Sequence, residues 1–242
     1  MTRIGPAMSP DGVLSPQTEE GALLLVDKPA GWTSFAVVKK IRTLFRVRKV
    51  GHAGTLDPLA TGLLLVCTGK RTKTLEEFVD LEKEYEGGMV LGARTSSFDA
   101  DTPVVERHSV EQITVEGVRS VFREFTGPQE QLPPMWSAVK VRGRRLYALA
   151  RQGKTVDRKP RRVVVRSIVP TRISIPDVDF TVVCSKGTYV RALVDDIGQR
   201  LGCGAYLRSL RRTRIGPYLL SDALTIEELI ALRHASAESG AP

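Results

Sequence analysis

The sequence has few residues that bind metals or form disulfides. Its 242 residues include three cysteines and three histidines. The cysteines are odd in number and form no C-x-x-C pair, which argues against a disulfide framework and a zinc-finger pattern. Histidines this far apart are hard to assemble into a metal site, so we expect no metal. The residues concerned are Cys67, Cys184, Cys203, His52, His108 and His234.

Long apolar segments and several known motifs are also missing. No apolar run reaches the roughly 18 residues of a membrane span, and the N-terminal 20 residues lack the apolar block of a secretory signal. We therefore expect a cytoplasmic protein without membrane contact. The G-x-x-x-x-G-K-[ST], G-x-G-x-x-G, G-x-S-x-G and H-E-x-x-H motifs do not occur. Their absence argues against nucleotide hydrolysis, hydride transfer and zinc-dependent hydrolysis.

Positive charge exceeds negative charge. The chain has 36 Lys and Arg against 27 Asp and Glu, a formal net charge of +9. A basic protein gains affinity for a polyanion because each neutralised phosphate releases counterions. The balance favours a nucleic-acid partner, although many soluble proteins are basic without binding one.

The apolar patterns predict strands and helices without a regular strand-helix repeat. This mixture is typical of an α+β fold with a largely antiparallel or mixed sheet. A helix is expected to begin at Thr33 or Ser34, a second at Thr114, and a last one at a capping box formed by Thr225 and Glu228. Further helices are predicted over 72–81, 145–153 and 188–202, and strands over 22–26, 62–69, 83–92, 133–141, 162–169, 171–175, 179–185 and 205–216.

One segment surrounds a single carboxylate with glycine. In "GHAGTLDPLATG", residues 51–62, Asp57 follows Gly51 and Gly54 and precedes Gly62. Glycines allow another backbone to approach closely. A carboxylate can act as a covalent nucleophile, which requires neither metal nor cofactor. The alternative is that Asp57 and Pro58 only start a turn, as Asp-Pro pairs commonly do.

Five segments resemble the TruB family of tRNA pseudouridine synthases, in the family's order from Asp27 to Thr213. The glycine-rich segment resembles the family's catalytic loop. "DKPAGWTS" (27–34) is similar to its N-terminal motif, and "KEYEGGMVLGARTSSFDADT" (83–102) to its tyrosine motif. "PPMWSAVKVRGRRLYALARQG" (133–153) resembles its central segment, and "CSKGTYVRALVDDIGQRLGCGAYLRSLRRT" (184–213) its arginine motif.

The resemblance implies a fold and an activity. The fold would be the pseudouridine synthase fold, a mixed and mostly antiparallel sheet with flanking helices and a central catalytic cleft. The activity would be isomerisation of uridine 55 in the T loop of tRNA, in which the base is detached, turned and rejoined through carbon. No cofactor is needed for this reaction. We expect tRNA, through its T-arm stem-loop, as the partner of a monomeric protein.

The resemblance also implies roles for single residues. Asp57 matches the catalytic aspartate, which acts covalently on the target nucleotide; whether it attacks the sugar or the base stays open. Arg191 matches the arginine that pairs with this aspartate. Tyr85 matches the tyrosine that stacks on the target base and assists proton removal at C5. Further matches in the active site are Lys28, Tyr189 and Leu210, the last in the apolar pocket wall.

Two matched positions are expected to contact RNA. His52 matches a histidine that fills the stack vacated by the extruded base, and Asp99 matches a residue that contacts the substrate loop. Two positions depart from the family pattern, because Trp136 replaces a usual tyrosine and Tyr206 an often-found histidine.

We predict a flexible tail over residues 1–20, a catalytic domain over 21–232 and a short tail over 233–242. Many bacterial relatives continue into a small RNA-binding domain of the PUA type, which we expect to be absent or reduced here. Two other functions stay open: an RNA chaperone that opens tRNA elbows, and a related synthase directed at rRNA.

Overall fold

The computed structural model describes residues 19–141 and 143–238 of the chain. Thirteen strands and six α-helices, with 3₁₀ turns at Gly69–Thr74 and Leu220–Asp222, make up its regular structure. The strands are β1 (Leu23–Lys28), β2 (Val50–Ala53), β3 (Thr61–Thr68), β4 (Lys83–Leu91), β5 (Ala93–Thr95), β6 (Val104–Arg107), β7 (Gly127–Gln131), β8 (Lys140–Val141), β9 (Arg144–Arg145), β10 (Arg161–Ser174), β11 (Asp177–Cys184), β12 (Ala205–Ile215) and β13 (Tyr218–Leu219). The helices are α1 (Ser34–Leu44), α2 (Leu75–Val79), α3 (Val115–Glu124), α4 (Leu146–Ala150), α5 (Val190–Arg200) and α6 (Ile226–Glu238).

The chain forms two compact units. The first contains the chain up to Glu84 and again from Arg211, and the second contains Tyr85–Leu210. Both boundaries fall inside strands, so β4 and β12 each contribute residues to both units. The predicted boundaries at residues 20 and 232 stay predictions, and residues 1–18 and 239–242 of the two predicted tails lie outside the described residues.

In the first unit, burial of β1 on both faces explains its continuous apolar sequence "LLLV". This strand pairs antiparallel with β3 and has apolar cover on both faces. Leu24 and Val26 join a core cluster with residues of α1 and α6, while Leu23 and Leu25 join a second cluster that includes Phe78. Because both faces are buried, the strand has no alternating polar residues.

The ends of α1 and α6 follow the predicted capping patterns. The Thr33 hydroxyl accepts a hydrogen bond from the Ala36 amide at 3.0 Å, so Thr33 is the N-cap of α1. Thr225 and Glu228 exchange side chain-to-amide bonds of 3.1 and 2.8 Å, which confirms the capping box before α6. These caps fix where each helix leaves its loop.

The second unit contains a sheet with strand order β12–β4–β11–β10–β7. Strand β10 pairs antiparallel with both β11 and β7. Helix α3 packs on this sheet, and its Phe122 meets Phe180 of β11 edge-to-face with ring centres 6.1 Å apart. Helix α5 contributes Leu193, Val194 and Ile197 to the buried core.

The predicted fold class is confirmed: the protein has a mixed, mostly antiparallel sheet with several helices. Three element predictions were wrong in detail. Residues 133–141 form a strand only at Lys140–Val141, because the prolines at 133 and 134 have no N–H to donate to a ladder. The strands predicted over 162–169 and 171–175 are one strand, β10, and the helix predicted over 72–81 is a 3₁₀ turn followed by α2. The central cleft stays a prediction.

Candidate active site

The residue before Asp57 is held by α1. In the loop between β2 and β3, the Ser34 hydroxyl accepts a hydrogen bond from the Leu56 amide at 2.9 Å and donates to the Leu56 carbonyl at 3.1 Å. Ser34 is buried at the first position of α1. One hydroxyl therefore satisfies both polar groups of the Leu56 backbone, and the packed helix fixes the chain where it enters Asp57.

The residues after Asp57 are held by the turn that follows β1. The Pro58 carbonyl accepts a hydrogen bond from the Gly31 amide at 2.9 Å and a longer one from Lys28 Nζ at 3.4 Å. The Ala60 amide donates to the Asp57 carbonyl at 3.1 Å. The Asp57 side chain itself is half-buried. The loop thus fixes the backbone on both sides of a half-buried aspartate.

Lys28 is buried where a lysine is usually solvated. Its side chain is fully enclosed, and its ammonium also donates to the carbonyls of Pro29 and Trp32 at 2.9 and 2.6 Å. A buried ammonium requires such acceptors. These contacts give Lys28 a positioning role in the loop; its predicted place among the active-site residues stays a prediction.

Gly62 and Arg212 bring two backbones together beside the loop. Gly62 has φ +98°, and a Cβ there would lie 2.4 Å from the Arg212 carbonyl oxygen, so only glycine fits. Arg212 is 1% exposed and donates to the carbonyls of Leu63 at 2.7 Å and Gly54 at 3.2 Å. The close approach indicated by the glycines therefore places a buried guanidinium against the start of the loop.

His52 lies in β2 beside this guanidinium. Burial lowers the pKa of the His52 imidazole from its ordinary value, the positive charge of Arg212 lowers it further, and a hydrogen bond with the Gly54 backbone opposes both. The ring is therefore neutral at pH 7. Its Nδ1 atom is buried and has no hydrogen-bond partner among the described residues. An uncharged ring is suited to stacking on bases.

In the second unit, Arg191 is the centre of a buried polar cluster. It lies in the first turn of α5 and is 3% exposed. Its guanidinium donates to the carbonyls of Ser97 at 3.0 Å and Trp136 at 2.6 Å, and its Nε lies 3.7 Å from an Asp99 carboxylate oxygen. The guanidinium also lies 5.5 Å from the centre of the Tyr189 ring. These contacts fix its orientation.

Asp99 lies in a hydrogen-bonded loop after β5. Its carboxylate accepts hydrogen bonds from the Ser97 hydroxyl and from the Asp101 amide at 3.1 Å. The neighbouring Phe98 has φ +66°, which is costly for a residue with a Cβ, and its carbonyl accepts from the Leu207 amide of β12 at 2.9 Å. The described contacts make Asp99 a partner of Arg191, and its predicted contact with RNA stays a prediction.

The remaining matched residues lie in strands and at the start of α5. Tyr85 of β4 is 8% exposed, and Leu210 of β12 is half-buried. The Tyr189 amide donates a hydrogen bond to Gln131 Oε1 at 2.7 Å, and the Tyr189 carbonyl accepts one from Gln131 Nε2 at 3.0 Å. The first unit holds Lys28, His52 and Asp57, and the second holds Tyr85, Asp99, Tyr189, Arg191 and Leu210.

Three positioning residues were missed in the sequence. Ser34 was read only as a possible helix cap, although its hydroxyl holds Leu56. Arg212 was treated only as one of the basic residues. The sequence signal for its position is Gly62, a glycine that allows the close approach of another backbone. Gln131 gave no signal, because a single amide in a polar strand resembles any exposed residue.

Within residues 19–141 and 143–238, no group of three or more His, Cys, Asp or Glu side chains could hold a metal ion. In the same ranges, no helix is long and apolar enough to span a membrane. The three cysteines are free thiols and are buried.

Ser34→Ala is expected to lower both the stability of the protein and the rate of the reaction at Asp57. The substitution leaves the buried Leu56 amide and carbonyl without their partner, at a cost of about 1–3 kcal/mol. It also frees the residue before Asp57, and we expect the single-turnover rate to fall by about tenfold or more, since misplacement of a reacting group by about 1 Å can cost 100-fold. Quenched single-turnover assays measure the rate, and thermal unfolding measures the stability.

Thr33→Ala is the matched control for Ser34→Ala. It removes the neighbouring hydroxyl, which caps α1 through Ala36 and does not contact the Asp57 loop in the described contacts. It should cost about 1 kcal/mol of stability with little change in the single-turnover rate at saturating RNA. Equal rates for the two variants would contradict a positioning role for Ser34.

The fold is the one found in pseudouridine synthases. A chain from the crystal structure of a Cbf5–Nop10–Gar1 complex matches with a TM-score of 0.71 and 32% identity over 91% of this chain and 56% of that chain. A chain from the archaeal box H/ACA sRNP Nop10–Cbf5 complex matches with a TM-score of 0.66 and 28% identity over 90% of this chain and 55% of the other. This protein therefore spans about half the length of those two chains.

Family models and named relatives show which family the chain belongs to. Residues 42–190 match the N-terminal domain of the TruB family pseudouridylate synthases, and residues 191–240 match the C-terminal domain of tRNA pseudouridylate synthase B. A protein of Opitutus terrae named tRNA pseudouridine synthase B is 46% identical over 220 residues, 91% of each chain. One of the same name from Phocaeicola vulgatus is 47% identical over 86% of this chain and 92% of its own. The chain belongs to the TruB family of pseudouridine synthases.

Proposed function

We propose that this protein converts uridine 55 in the T loop of tRNA to pseudouridine, with Asp57 as its covalent nucleophile. The observation that carries the proposal is the Asp57 loop, where a half-buried carboxylate stands on a backbone held by Ser34 on one side and by Gly31 and Lys28 on the other. Close relatives named tRNA pseudouridine synthase B support tRNA as the substrate.

The reaction balances without a cofactor. The Asp57 carboxylate forms a bond to the target nucleotide, and the bond between N1 of the base and C1′ of the ribose breaks. The base turns, C5 bonds to C1′, and the bond to Asp57 is released. C5 loses its proton and N1 gains one, so the product is an isomer of the substrate and no electrons are exchanged.

Arg191 and Tyr85 are proposed to assist this chemistry, as the family motifs imply. Arg191 would supply a positive charge to Asp57, and its contacts with Ser97, Trp136 and Asp99 orient the guanidinium before the reaction. Tyr85 stacks on the target base and assists loss of the C5 proton. Tyr189 and Leu210 complete the pocket for the base.

The target uridine must leave the stack of the T loop before it reaches Asp57. Extrusion of a base costs a few kcal/mol, which an inserted side chain can partly recover. We propose that the neutral His52 ring takes the vacated place and that Asp99 helps to orient the loop. Because tRNA is the proposed substrate, we also propose that the protein works in the cytoplasm. We propose further that it acts as a monomer.

Release of tritium tests this function. Purified protein is incubated with a tRNA transcript that carries tritium at C5 of its uridines, in buffer that contains a chelator and no added cofactor. Formation of the bond between C5 and C1′ expels one hydrogen, so we expect one equivalent of tritium per tRNA. A T-arm stem-loop should release the same equivalent. No release, with the protein folded and bound to RNA, would contradict the proposal and favour an RNA chaperone.

A further inference from the structure

The segment between Asp27 and Asp57 carries only positive charge. Residues 28–56 contain seven Lys and Arg and no Asp or Glu. Lys28 is buried. The other six lie on α1 or between α1 and β2, and we call them the α1 surface: Lys39, Lys40, Arg42, Arg46, Arg48 and Lys49.

The cations of the α1 surface have no carboxylate partner among the described residues. None of the six lies within 4 Å of an Asp or Glu oxygen, and five are exposed while Lys40 is half-buried. Other arginines of the chain are paired, such as Arg200 with Glu124 at 2.7 Å and Arg211 with Asp27 at 2.7 Å. Six uncompensated charges on one short segment create a field that attracts a polyanion.

A groove runs along this same helix. It encloses about 520 Å³ and is lined by Gly31, Trp32, Thr33, Ala36, Lys39, Lys40 and Thr43. Ala36, Lys40 and Thr43 follow one face of α1 at helical spacing. Trp32 is half-buried, lines the groove and also packs against the core cluster, and Phe35 nearby is 66% exposed. Two lysines next to an indole match a nucleotide, which has a planar base and charged phosphates.

The groove is tied to the Asp57 loop. Lys28 Nζ donates to the Trp32 carbonyl at 2.6 Å and to the Pro58 carbonyl at 3.4 Å, and the Gly31 amide donates to the same Pro58 carbonyl. The turn that forms one end of the groove is therefore hydrogen-bonded to the residue that follows Asp57. An RNA strand whose nucleotide reaches Asp57 has its neighbouring nucleotides within reach of this turn.

We propose that the α1 groove is a second binding site for the substrate RNA. It takes an unpaired nucleotide outside the reacting one, with the base against Trp32 and the flanking phosphates against Lys39 and Lys40. This inference rests on the proposed function. It adds a binding site for the unpaired part of the substrate loop, so that two points of contact fix the RNA while one nucleotide is extruded.

The first test removes the two lysines. The double variant Lys39→Gln, Lys40→Gln loses two phosphate contacts, so the Kd for an unmodified T-arm stem-loop should rise roughly tenfold at 0.15 M salt. The slope of log K against log salt should become less steep by about 1.4, at about 0.7 per contact with single-stranded RNA. The matched control is Arg119→Gln, Arg123→Gln on α3, which removes the same charge from another exposed helix and should leave both quantities close to wild type.

The second test observes Trp32 directly. The chain has two tryptophans, so Trp136→Phe leaves Trp32 as the single indole. The stem-loop should quench its fluorescence at the same RNA concentrations that saturate binding. An acidic peptide of equal charge should not quench it. Competition by the acidic peptide instead would assign the groove to a protein partner and overturn the proposal.

The two proposals fail in different ways. If wild-type protein releases no tritium from labelled tRNA, the proposed function fails. If wild-type protein is active, but the double lysine variant keeps the wild-type Kd and salt slope and Trp32 is not quenched, only the second RNA site is contradicted. Concentration-dependent self-association that the lysine variant abolishes would assign the surface to a second copy of the chain, which also overturns the proposal.

Discussion

Asp57→Asn is expected to abolish pseudouridine formation while the protein stays folded and continues to bind tRNA. An amide has nearly the shape of the carboxylate but is a poor nucleophile, so the covalent step is lost. We expect the single-turnover rate to fall by about four orders of magnitude or more, as is found when a nucleophile is removed. Tritium release at saturating enzyme measures the rate, and filter binding measures the Kd.

The control for Asp57→Asn is Asp157→Asn, which makes the same chemical change at an exposed position. It should retain the wild-type rate. The loop around Asp57 depends on backbone contacts of Leu56, Pro58 and Ala60, which the amide does not disturb. A rate in Asp57→Asn within tenfold of wild type would show that the carboxylate is only the start of a turn.

Arg191→Met is expected to reduce the rate by about two to three orders of magnitude, the usual cost of removing one fixed electrostatic donor. It is also expected to destabilise the protein, because the buried Asp99 carboxylate loses its ion-pair partner. Leaving one buried charge unpaired costs about 3–5 kcal/mol. Rate and stability therefore have to be separated.

The double variant Arg191→Met, Asp99→Asn separates them. Asparagine removes the unpaired charge, so most of the thermal stability should return, whereas the rate should stay low because the guanidinium is still missing. Arg191→Lys keeps the charge but cannot form the same fork of hydrogen bonds, and it should have an intermediate rate. Recovery of the rate together with stability in the double variant would mean that Arg191 acts only as a structural residue.

The fold could be predicted where local chemistry and packing agree. The uninterrupted apolar run of β1 and β3 follows from burial on both faces. The caps at Thr33, Thr114 and Thr225 could be predicted because each hydroxyl accepts a hydrogen bond from the amide three residues along the chain. Residues 133–141 were misread because apolar and β-branched residues there suggested a strand, whereas only Lys140–Val141 forms one and the two prolines have no N–H for a ladder.

The site could be predicted only in part. The motifs identified Asp57, Arg191 and Asp99, but their partners depend on contacts between residues far apart in sequence. Ser34 bonds Leu56 across 22 positions, and Arg191 bonds Ser97 across 94. The contact of Arg191 with Trp136 uses the main-chain carbonyl, so the change from the usual tyrosine at that position leaves it intact. Such main-chain contacts leave no mark in side-chain identity.

Site-resolved mapping of pseudouridine tests the central claim most directly. An unmodified tRNA transcript is incubated with the purified protein and then sequenced after chemical marking of pseudouridine, with Asp57→Asn in parallel. We expect a single pseudouridine, at position 55, in the wild-type reaction and none in the variant. Pseudouridine at other positions, or equal amounts with wild type and variant, would contradict the account.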